Sequence, residues 1–239
     1  MSSQPNPASQ LPVFGPTVTL LVLLVVVDFL FIVVHSIHVW SPWLPGGHFS
    51  IESHNGLASI YQYIKQIWLA GCLALAFVQT RSKVFAGWTL LFAFLLLDDA
   101  LELHERIGVI LATALNFPAL LGLRPEDLGE ISVAAAIGCM ALAMVAITFR
   151  HGGSAARELS ADLMCLLAAL ALFGVFFDML HTITYFKAPS VADFFALIED
   201  GGEMVVVSMI TAYTFDLTSN AGRPRLGVWA RVRGAASRG

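Results

Sequence analysis

Charge is scarce in this chain. Only 13% of its 239 residues are Asp, Glu, Lys or Arg, while 57% are hydrophobic and the mean hydropathy is +0.77. Soluble domains carry about 25% charged residues, so the composition excludes an ordinary soluble fold and implies an integral membrane protein with the lipid bilayer as its surroundings. Cysteine is scarce too. Cys72, Cys139 and Cys165 each lie in an apolar run without a C-x-x-C partner, which excludes a disulfide framework and leaves them as small packing residues. The segment ahead of the first apolar run holds no Lys or Arg, so a cleaved secretory signal is not expected. No internal repeat is evident, no soluble domain fits between the apolar runs, and no nucleic-acid partner is expected.

What the chain does have is apolar stretches near the ~20 residues that cross a bilayer. Six are expected to be transmembrane helices: Thr17–His38, Ala58–Thr80, Val84–Glu105, Ile131–Phe149, Ala161–Tyr185 and Val191–Phe215. The expected fold is therefore all-α, a bundle of about six spans over residues 17–216, preceded by a disordered polar tail (1–16) and followed by a basic tail (217–239). The apolar segment Ile107–Leu123, interrupted by Asn116-Phe-Pro118, reads as an interfacial or re-entrant piece, with an extra short span as the alternative. Lys and Arg set the orientation. Arg81, Lys83, Arg150, Arg157, Arg223, Arg225, Arg231, Arg233 and Arg238 fall on one side, against Arg106, Arg124 and Lys187 on the other. That bias places both termini in the cytoplasm of a bacterial inner membrane, with the basic tail touching anionic lipid.

Within this layout the polar residues gather in one layer. Asp98, Asp99, Glu102 and Glu105 come late in the third stretch, Asp178 and His181 late in the fifth, and Glu199, Asp200 and Glu203 early in the sixth. Glu130 precedes the fourth stretch, His35 closes the first, and Lys65 lies in the outer half of the second. Each carboxylate at the centre of a span costs about 2.5–3.5 kcal/mol on insertion scales. Nine acids lie within the expected spans, Asp28 among them, and Lys65 and Arg106 cannot balance them. Glu102 and Arg106, spaced i,i+4, can pair, as can Asp28 with Lys65 or His35. The rest must be protonated, solvated in a cavity or bound to a cation.

The spacings favour a cation. Asp178-x-x-His181 puts a carboxylate and an imidazole on one helical face, as the Glu-x-x-His element of carboxylate-bridged di-metal bundles does. Glu199 with Glu203 and Glu102 with Glu105 form two further carboxylate faces, so the third and sixth stretches are expected to meet around a di-metal centre of iron, manganese or zinc. A second Glu-x-x-His is missing, and His104, His35 or a loop histidine would have to supply the other nitrogen. At 100° per residue, Asp98, Glu102 and Glu105 share a face while His104 points away from it.

Asp98-Asp99 with His104-Glu105, together with Glu199-Asp200-Gly-Gly-Glu203-Met204, resembles a group of bacterial multi-pass membrane proteins. These carry a D-[DE]-x(4)-H-E segment in one span and an E-[ED]-x-x-E-M segment in the last. The resemblance implies a shared site rather than a reaction, and it adds His104 to the candidate ligands. The expected metal ligands are thus Glu102, His104, Glu105, Asp178, His181, Glu199 and Glu203. Asp28, His35, Lys65, Asp98, Asp99, Glu130 and Asp200 complete the polar layer. The functions compatible with it are oxidation or hydrolysis of a lipid-like or quinone-like substrate, proton- or cation-coupled transport with Lys65 as counter-ion, and haem binding through two of His35, His104 and His181.

Overall fold

A computed structural model describes residues 15–222 apart from Asn55, Leu121 and Phe186, so the N-terminal tail and the basic segment from 223 onward lie outside the described residues. The described residues form helices and no strand: α1 (Pro16–Trp40), α2 (Leu57–Thr80), α3 (Lys83–Leu101), α4 (Leu103–Leu115), α5 (Pro125–His151), α6 (Ser154–Tyr185) and α7 (Pro189–Ser219). Four of them, α1, α3, α5 and α6, are long and apolar enough to cross a membrane. The other two expected spans, α2 and α7, have the length, at 24 and 31 residues, or about 36 and 46 Å. They do not have the composition. Gln62, Lys65 and Gln66 interrupt α2, and Glu199, Asp200, Glu203 and Asp216 interrupt α7.

The bundle is turned inside out relative to a soluble protein. On α1 the buried residues are Thr17, Leu24, Asp28 and His35, whereas Leu23, Val26, Phe29, Leu30 and Val33 are each more than half exposed. Such a continuous apolar exterior is untenable in water and natural in lipid. α7 is the central helix, packed on α1, α2 and α6. α2 also packs on α3, and α5 on α4 and α6, so α7, α2, α3, α5 and α6 close a ring. One end of that ring is filled by a tight apolar core around Leu73, Trp88, Leu163, Ile210 and Leu217. Its polar members are satisfied: Trp88 Nε1 donates to Ser160 Oγ at 3.1 Å and Tyr213 Oη to Asp162 at 3.0 Å. The other end holds a cavity. α3 and α7 therefore face each other across a space, whereas their carboxylate faces had implied direct packing.

Two local features change the expected boundaries. The third apolar stretch does not run straight to Glu105. Glu102 adopts a left-handed conformation (φ 53°), ends α3 and starts α4 in a new direction. α4 has 13 residues, about 20 Å, too short for the ~30 Å of hydrocarbon, and it lies along α5. Asn116, also left-handed (φ 52°), stops it, a position that asparagine tolerates better than most residues. α5 starts at Pro125, six residues before the apolar run, because the Asp127 carboxylate accepts the Arg124 backbone N–H at 2.7 Å and its guanidinium at 2.7 Å. That reciprocal cap satisfies donors that a helix start leaves open.

Candidate metal centre in an acidic cavity

The site begins with a distortion of α6. Residues Leu172–Phe177 form a π-helical segment, a wide turn that inserts one extra residue and rephases the helix beyond it; such turns concentrate at functional sites. Its Gly174 has no side chain because the Glu203 carboxylate rests against it, and on the facing helix Gly202 makes room for the Phe173 ring. A Cβ at either glycine would collide, so α6 and α7 are closest here. Asp178 and His181, one turn further, face Glu199. One donor atom from each of the three lies within 4.8 Å of the other two, and His181 Nδ1 is 3.4 Å from Glu199 Oε2. That contact is an ion-pair distance without hydrogen-bond alignment, so Glu199 Oε2 is buried with no hydrogen-bond partner.

This donor set fits a metal. Ligand atoms on one ion with bonds of about 2.0–2.2 Å sit roughly 3–4 Å apart, so a small closure of the three side chains completes a first shell. Two carboxylates and an imidazole suit manganese, iron or zinc, and three protein ligands leave a coordination position free, the pattern of catalytic rather than structural sites. Glu199 Oε2, buried without a hydrogen bond and met only off-line by His181, is the acceptor a cation would satisfy, since a buried acceptor left without a hydrogen bond is costly.

The triad opens on a cavity of about 580 Å³. Ten carboxyl side chains line it, with Arg124, His54, His104 and His181 as the bases. Every one of those bases is already taken. Arg124 is bonded to Asp127, which holds the guanidinium above its ordinary range. His54 Nε2 lies 3.5 Å from Glu105, His104 Nδ1 lies 3.2 Å from Asp98, and His181 faces Glu199. Asp99, Glu130, Asp178, Asp200 and Glu203 have no basic residue left. The acids also occupy one level. On α3, α5 and α6 the lining changes from acidic (Asp98, Glu130, Asp178) to apolar (Leu95, Ile137, Leu170) within a few turns. The cavity thus has a polar head and an apolar floor.

Of the seven expected ligands, Asp178, His181 and Glu199 form the triad. His104, Glu105 and Glu203 line the same cavity outside it. No second group of three donors within 4.8 Å occurs among the described residues, so a di-metal set is not assembled. Glu102 leaves the cavity altogether and pairs with Arg106 at 3.8 Å. The turn at Glu102 explains both departures from straight-helix phase: it ejects Glu102 and brings His104 onto Asp98. Glycines then fix α4 on α5, because Gly108 and Gly129 meet backbone to backbone beside Glu130.

Asp98, Asp99, Glu130 and Asp200 line the cavity as well, whereas Asp28, Lys65 and His35 stay outside its lining. Lys65 Nζ donates to Asp28 Oδ1 at 2.7 Å, to the Met204 carbonyl at 2.8 Å and to Ser208 Oγ at 3.1 Å, and Ser208 donates to the other Asp28 oxygen. Both charges are 0% exposed and the Tyr61 ring covers the ammonium. Lys65 is consequently no counter-ion for the cavity acids. His35 Nδ1 accepts the Ile51 N–H at 3.3 Å, which leaves the proton on Nε2, 3.6 Å from Glu52. The pair Gln62 and Gln66, both on the cavity wall, does not stand out in the sequence. Its only signal there is two amides about one turn apart in an apolar stretch.

The family described as "Domain of unknown function (DUF8692)" matches residues 17–217. The chain belongs to it. The matched region runs from the start of α1 to the end of α7 and includes every residue of the triad and the cavity. No curated protein and no solved structure matches the chain.

Proposed function

We propose that this member of the DUF8692 family is a six-span inner-membrane metalloprotein. Asp178, His181 and Glu199 hold one manganese, iron or zinc ion, and the substrate is a lipid-like or quinone-like amphiphile that is oxidised or hydrolysed. The observation that carries the reading is the buried Glu199 oxygen, without a hydrogen bond, in a three-donor group at the head of a cavity with an apolar floor. In this reading α2 and α7 also cross the membrane, their charges turned inward, and the nine-to-three Lys/Arg bias puts both termini in the cytoplasm. The cavity then lies near the periplasmic face. A metal ion there supplies a Lewis acid, an activated water or an electron acceptor. The protein does the rest. The apolar floor binds the chain and excludes water, and the triad fixes the head group.

The test is metal content and absorption spectrum of protein purified without chelator. One equivalent of a transition metal in wild type, absent from His181→Ala, is the expected result; a Soret band would favour haem. A metal-free protein that moves protons or cations in proteoliposomes would favour the carrier, which the five acids without a basic partner also suit. Reporter fusions after Ser219 and after Gly46 are expected on opposite sides of the membrane, and the same side for both would overturn the topology.

A further inference from the structure

We propose a second cation site in the angle between α2, α3 and α7, one that takes a hard divalent ion, Mg²⁺ or Ca²⁺, through oxygen alone. Its ligands are the carboxylates of Asp99, Asp200 and Glu203 and the side-chain carbonyl of Gln62. Gln62, Asp99, Asp200 and Glu203 line a pocket of about 80 Å³ that adjoins the large cavity. Gln62 and Gln66 are 7% and 8% exposed, and the Oε1 of each is buried without a hydrogen-bond partner. Gln66 lies outside the pocket and positions one of the pocket's carboxylates, its Nε2 donating to Asp99 Oδ2 at 2.9 Å.

Four acceptor side chains thus line one small space and no base answers them. Lys65, between the two glutamines in sequence, points to Asp28 instead. His54 and Glu52, at the rim of the pocket, are engaged with Glu105 and His35. A buried amide acceptor without a partner is costly; one beside three carboxylates is a set of ligands suited to an ion. The set contains no nitrogen or sulfur donor, which selects a hard cation over zinc or iron. The three carboxylates do not form a group within 4.8 Å, so the ion keeps part of its water. A pocket of this size has room for that, since one water needs only about 10–15 Å³ of such space.

The experiment is calorimetric titration of the chelator-stripped, full-length protein in nanodiscs with Mg²⁺, Ca²⁺ and Zn²⁺. Wild type and His181→Ala should each bind one equivalent of Mg²⁺ or Ca²⁺ with similar affinity. Gln62→Leu and Asp99→Asn should weaken that binding by about 10–100-fold and leave the transition-metal equivalent in place. Gln62→Glu, which adds a charge, should tighten it. With the cation absent Gln62→Leu should melt no lower than wild type, because it removes an orphan acceptor; a structural role for Gln62 would lower the melting temperature. The proposal is overturned if wild type binds neither Mg²⁺ nor Ca²⁺. It is equally overturned if binding disappears with His181 and is indifferent to Gln62. Failure of the triad reading alone would appear as absent Zn²⁺ binding with Mg²⁺ or Ca²⁺ binding intact.

Discussion

Asp28 and Glu199 are both carboxylates inside an apolar bundle, and they are treated in opposite ways. Asp28 is fully buried and both its oxygens are bonded, to Lys65 and Ser208. Glu199 faces one histidine off-line and keeps a buried oxygen without a hydrogen-bond partner. The first arrangement is complete in itself. It ties α1 and α2 to α7 and needs nothing from outside. The second is short of positive charge, and so is its surrounding cavity, where each base already serves one acid. Buried charge in this protein is therefore of two kinds, one that binds helices together and one left short of positive charge.

The largest expected effect falls on the first kind. Lys65→Met leaves Asp28 buried and unpaired, which typically costs about 3–5 kcal/mol. Adding Asp28→Asn should recover most of that, and the folded fraction should retain its metal. A double variant as unstable as the single one would break the distinction. Next comes packing. Gly108→Ala drives a methyl into the α5 backbone at Gly129, and overpacking of this kind costs about 1–3 kcal/mol; the melting temperature reads it. Asp127→Ala removes the cap of α5 and should cost about 1 kcal/mol, an effect on folding with no change in metal stoichiometry. The smallest effect on stability belongs to the second kind. Glu199→Gln should melt no lower than wild type when both are metal-free, since it removes a buried ionisation, yet it should not bind the ion.

The helices were legible because long apolar runs admit little else in a membrane, and each of the six runs corresponds to a helix. The triad was legible because Asp178 and His181 lie one turn apart on a helix, a spacing that the π segment upstream does not disturb. The limits came where backbone departs from a straight helix. Glutamate carries no signal for a left-handed turn, so the break at Glu102 was hidden, and with it the exit of Glu102 and the entry of His104. The π segment at Leu172–Phe177 has no marker beyond Gly174, which makes sense only once Glu203 is seen resting on it. Gln62 and Gln66 passed unremarked because an uncharged amide disturbs a hydropathy pattern less than an acid does.

Whether the triad awaits a transition metal is tested most directly by one comparison of melting curves, with and without a chelator selective for transition metals over Mg²⁺ and Ca²⁺, on wild type and His181→Ala. Chelator is predicted to lower the wild-type melting temperature to that of the variant and to leave the variant unmoved, because ion binding stabilises only the protein that can hold it. A wild-type curve indifferent to chelator, with His181→Ala melting at the same temperature, would contradict it.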